Sequence, residues 1–78
     1  MGKVIILTGK TEKGFCGTCN LIPGWIVSYT GDFEGFKKEV AESIQFYLDC
    51  AKQDNEKYPA IFDTDYETEY KFHTEVIL

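Results

Sequence analysis

From Asp32 to Lys52 the chain carries one unbroken helical period, and the runs on either side are too short to be free helices. Phe33, Phe36, Val40, Ile44, Tyr47, Leu48 and Ala51 recur at intervals of three or four. Glu34, Lys38, Glu42, Gln45, Asp49 and Lys52 occupy the opposite face. Asp32 suits the N-cap, and Glu34 suits the positive end of the helix dipole. Helical character fades over Gln53-Asp54-Asn55-Glu56, and Tyr58-Pro59 stops any continuation. A single amphipathic helix needs a second layer to cover its apolar stripe, and the rest of the chain has to supply it.

That layer reads as a sheet. Val4-Ile5-Ile6-Leu7-Thr8 is a β-branched run predicted to be a strand buried on both faces. Gly9 to Gly14 is a polar connection with glycine at both ends, so a hairpin follows, with Phe15 to Asn20 as its second strand. Pro23-Gly24 marks a turn, because proline presets φ and glycine accepts positive φ. Trp25 to Tyr29 makes a third strand, which ends at Thr30-Gly31-Asp32. After a linker over residues 53–64, Tyr66, Thr68, Tyr70 and Phe72 alternate with Asp65, Glu67, Glu69 and Lys71, predicting a last strand with one buried and one wet face. Right-handed crossover places it beside the first. The expected fold is a two-layer α+β sandwich of order β-β-β-α-β, its three antiparallel strands joined by a fourth and one main helix on one face. The domain spans 1–73. In the tail, 74–78, Thr74 resembles an N-cap before Val76-Ile77-Leu78, as if a further segment began there.

At 78 residues, a domain buries only about 60% of the surface its unfolded chain exposes. Burial and chain entropy then nearly cancel, so a homodimer or docking on a partner is expected. The net charge is −5, and 13 acids face 8 bases. The nearest basic groupings, Lys10 with Lys13, Lys37 with Lys38 and Lys52 with Lys57, are all diluted by acids. Phosphate neutralisation needs clustered cations, so these residues alone should not hold DNA or RNA; a basic protein fits better. No apolar run is long enough to span a membrane and no leader precedes the first strand, while three cysteines are an odd count for a disulfide framework. Together these predict a cytoplasmic protein with no membrane association.

No catalytic, cofactor or metal constellation emerges. Cys16 and Cys19 form a C-x-x-C that Cys50 and His73 could extend, but residues three apart on a strand point to opposite faces. Asp63-x-Asp65-x-Glu67 starts like a calcium loop, yet Thr68 and Thr74 stand where glycine and glutamate are required. His73, the sole histidine, reads as exposed surface. The chain is therefore not expected to be an enzyme. Two aromatics invite a binding reading. Phe46 lies off the helix's apolar stripe, so either the Tyr58–Phe62 segment folds back over it or it joins Ser43 and Cys50 in an interface. Trp25 is either core or a partner anchor.

Gly14-Phe15, Ile22-Pro23-Gly24, Gly31-Asp32 and Glu42-Ser43-Ile44-Gln45-Phe46-Tyr47-Leu48 occur in the order found in the HicB antitoxin family, which the chain resembles over nearly its whole length. It departs from the pattern in a longer stretch between Pro23-Gly24 and Gly31-Asp32, and in Phe33-Glu34-Gly35-Phe36 at the helix start. The resemblance implies an antitoxin-like domain that docks on a small basic HicA-like, mRNA-cleaving toxin and blocks RNA access. Most members also carry a C-terminal DNA-binding segment and repress their own transcription; those functions lie outside these residues. The interface candidates are Trp25, Phe46, Asp65, Glu67 and Glu69, the acids forming a negative stripe for a basic partner. The alternative is an RNA-binding or regulatory domain without a toxin partner. A sheet with one helix is also the plan of double-stranded RNA-binding domains, which need basic residues this chain lacks.

Overall fold

A computed structural model describes residues 2–72. The elements are β1 (Gly2–Lys10), β2 (Gly14–Thr18), β3 (Ile26–Thr30), α1 (Phe33–Gln53), a 3-10 turn (Ala60–Asp63) and β4 (Tyr66–Phe72). The sheet order is β3-β2-β1-β4. β1 and β2 pair antiparallel, as do β2 and β3, while β4 lies parallel to β1 with Gly2 opposite Tyr66 and Thr8 opposite Phe72. This is the α+β arrangement of one helix on a four-stranded mixed sheet. The expectations for His73, Thr74 and the 74–78 tail lie outside the described residues.

Local chemistry accounts for most of the boundaries. Thr11 N–H donates to the Gly14 carbonyl at 2.9 Å and closes the first hairpin. Trp25 N–H donates to the Ile22 carbonyl at 3.1 Å across Pro23 and Gly24, whose φ of 79° makes a type II turn. Asp32 caps α1, its Oδ1 accepting from Gly35 N–H at 2.9 Å. Gly35 has a second role: the Tyr29 ring lies where a Cβ would sit. At the other end Asn55 takes φ 56°, with Glu56 N–H reaching the Ala51 carbonyl and Asn55 N–H the Lys52 carbonyl. That pair of bonds is a Schellman cap.

The core is Val4 and Ile6 from β1, Val27 from β3, Cys19 and Ile22 from the second connection, and Phe36, Val40, Ile44 and Leu48 from α1. Gly17 lets the helix approach, since Ile6 and the tip of Phe36 lie within about 3 Å of where its Cβ would be. Phe15, Phe33, Phe36, Tyr70 and Phe72 extend the core as an aromatic cluster with centroids 5.4–6.4 Å apart.

Three sequence expectations need correcting. β1 is buried on one face only: Val4, Ile6 and Thr8 are covered, but Ile5 is half-buried and Leu7 is exposed, because nothing among the described residues packs on that side. The face of β4 toward the helix is likewise only half covered. Tyr66 and Tyr70 are partly buried, whereas Thr68 and Phe72 are exposed, because α1 lies mainly over β2 and β3. The presumed linker over 53–64 is not structureless; its 3-10 turn drives Phe62 into the core against Tyr66.

Candidate interaction groove

A groove opens between Trp25, which immediately precedes β3, and one flank of α1. By strand alternation Trp25 shares the helix-facing side with Val27 and Tyr29. The helix contributes Glu39, Ser43, Phe46, Tyr47 and Cys50, with Glu42 at the rim. Their spacing of three and four puts them on adjacent rows of the helix surface. The groove has a volume of about 510 Å³ and is lined mainly by apolar atoms. Trp25 is half-buried and packs on the core, while Phe46 is 71% exposed.

The cover expected over Phe46 does not form. Tyr58 turns to the end of the helix instead, where Lys52 Nζ sits 5.9 Å from its ring and its hydroxyl donates to Asp63 Oδ1 at 2.8 Å. That donation to a carboxylate raises the Tyr58 pKa above the usual 10. Burial raises that of Tyr70.

Glu39 and Glu42 make the groove acidic, and neither is in an ion pair among the described residues. Both were missed in the sequence reading, although 39, 42, 43, 46 and 50 repeat at helical spacing. Asp65, Glu67 and Glu69 lie elsewhere, Asp65 before β4 and the glutamates on that strand, at the opposite edge of the sheet. Glu69 is partly neutralised by Lys3 at 3.5 Å and by Lys71 at 3.9 Å. The structure therefore brings Trp25 and Phe46 together and separates them from the acidic stripe.

Cys16 is half-buried, Cys19 buried and Cys50 exposed, and all are free thiols. Among the described residues no group of three or more His, Cys, Asp or Glu is placed to hold a metal ion. No helix among them is long and apolar enough to cross a membrane. Compared with known proteins, the chain matches no family model, no curated protein and no solved structure.

Proposed function

We propose that this domain is a protein-binding module whose partner is basic, and that the Trp25–Phe46 groove is its contact surface. The observation that carries this reading is Phe46, a large aromatic left 71% exposed beside a half-buried tryptophan and two glutamates that are in no ion pair among the described residues. Exposing such a side chain gains nothing for the fold, whereas aromatic anchors dominate the energetics of protein interfaces. Glu39 and Glu42 add attraction for a cationic surface, and the chain's charge of −5 adds long-range steering.

The HicB resemblance makes the partner more specific: a small basic mRNA-cleaving toxin of the HicA type, neutralised by occlusion. The test is an RNA-cleavage assay with such a toxin from the same organism and the full-length protein. Cleavage is expected to stop near equimolar ratio. Replacing Trp25 and Phe46 by alanine should raise the inhibitory concentration by at least about 30-fold, as for a hot spot worth about 2 kcal/mol. Undiminished cleavage, with no complex on gel filtration, refutes the toxin partner. Retention of RNA by the domain alone, lost steeply with salt, would favour the RNA-binding alternative.

A further inference from the structure

The two edges of the sheet differ in how they are guarded. Exposed edge strands template pairing with another chain, and proteins blunt them with charge, proline or bulges. β4 carries Glu67, Glu69 and Lys71. β3, Ile26-Val27-Ser28-Tyr29-Thr30, carries no charge and no proline.

The ladder fixes which β3 groups are free. Gly31 N–H donates to the Lys13 carbonyl at 3.1 Å, on the same diagonal as Tyr29 opposite Phe15 and Val27 opposite Gly17. Alternation in an antiparallel pair then directs the Val27 and Tyr29 backbone groups toward β2 and those of Ile26, Ser28 and Thr30 outward. The first hairpin gives the same phase independently. Thr11 N–H donates to Gly14, so Gly14, Cys16 and Thr18 bond to β1, and Phe15 and Gly17 are left for β3. The outer row of β3 is thus a regular array of donors and acceptors with no partner among the described residues. Beside it stand the Trp25–Phe46 groove and Ile26, which is 71% exposed.

We infer that β3 receives an extended basic segment of the partner as a fifth strand. This rests on the binding role proposed above and specifies how that site works. Side chains of the added strand alternate between faces. Those on the helix side meet Phe46 and Trp25 with apolar groups and Glu39 and Glu42 with Lys or Arg; those on the other side cover Ile26. A second copy of this chain fits this edge less well, because its own Glu39 and Glu42 would approach the same pair.

The probe is a synthetic eight-residue peptide, Val-Val-Lys-Thr repeated twice, which as a strand shows Val and Lys in turn on one face and Val and Thr on the other, followed by residue-resolved amide hydrogen exchange and NMR. In the free protein Ser28 and Thr30 amides should exchange at least about tenfold faster than those of Val27 and Tyr29. Saturating peptide should slow Ser28 and Thr30 at least about tenfold. Ser28→Pro removes an outward N–H and no bond to β2, so it should leave the other strands protected while abolishing peptide binding. Thr30→Lys, which guards the edge without touching the backbone, should weaken it at least fivefold. Shifts at Trp25 and Phe46 without protection of Ser28 and Thr30 overturn strand addition and leave groove binding standing. No shift anywhere removes both. Protection of Ser28 and Thr30 that rises with protein concentration in the absence of peptide assigns the edge to a second copy and overturns the basic occupant.

Discussion

Phe36 and Phe46 stand ten residues apart on one helix, and truncating each to alanine should separate folding from binding. Phe36 is fully buried and touches Phe15, Phe33 and Tyr70. Its loss removes apolar burial and leaves a cavity, together about 3–5 kcal/mol. Stability in a domain this small starts at about 5 kcal/mol, so Phe36→Ala should be largely unfolded near physiological temperature. Phe46 is 71% exposed. A buried phenylalanine covers about 200 Å², so the hidden third here is about 60 Å², worth about 1.5 kcal/mol at 25 cal/mol per Å². Alanine's better helix propensity returns about 0.5 kcal/mol. The net loss of about 1 kcal/mol lowers Tm by about 4–8 °C. Thermal unfolding followed by circular dichroism measures both. If Phe46→Ala unfolds as readily as Phe36→Ala, then Phe46 is a folding residue and the reading of it as an anchor is wrong.

Other outcomes follow from the same contacts. Asp32→Ala should lose about 1 kcal/mol by removing the cap on Gly35 N–H, and Asp32→Ser should keep most of it in urea denaturation. Gly35→Ala, which is favourable in an ordinary helix, should instead destabilise, because its methyl group meets the Tyr29 ring; the urea midpoint reports the sign. Tyr70 has a raised pKa in the folded state, so both states are protonated below about pH 10 and its effect on stability is constant there. Above that the unfolded chain ionises first and stability falls; Tyr70→Phe should reduce the alkaline loss in a pH series of unfolding. Maleimide should label Cys50 before Cys19, and a basic partner in the groove should slow Cys50 alone, read by mass spectrometry. The homodimer expected from chain length is tested by sedimentation; a stable monomer at micromolar concentration counts against it.

Sequence pattern alone placed the helix, its Asp32 cap, the Pro23-Gly24 turn and the fourth strand beside the first. Each is set by local chemistry or by a handedness rule. What it missed depends on distant neighbours. An unbroken Val4–Leu7 run looks alike whether one face or both are covered, so the exposure of Leu7 was not legible. The Ala60–Asp63 turn has only 4 residues, too few for a repeating apolar pattern to show. The fate of Phe46 depended on where Tyr58 would go, and Tyr58 lies by Lys52 and Asp63 instead. Phe46 stands out because it lies off the helix's apolar stripe and Trp25 because tryptophan is a frequent interface anchor; only the packing of α1 on β3 brings them into one groove. Glu69 looked like part of an acidic stripe until Lys3 arrived from the far end of the chain.

The parallel β1–β4 pair also sets an order on synthesis. β1 emerges first and gains its neighbour β2 through a local hairpin, but its other edge stays open until β4 has been made. Pairings this distant in sequence form late and slow folding. A nascent chain stalled after α1 would present Val4, Ile5, Ile6 and Leu7 along a strand with one edge unpaired, a composition prone to pairing with other chains. Closing the sheet therefore depends on residues near the end of the described chain, and a version ending inside β4 should aggregate during expression rather than form a smaller stable domain.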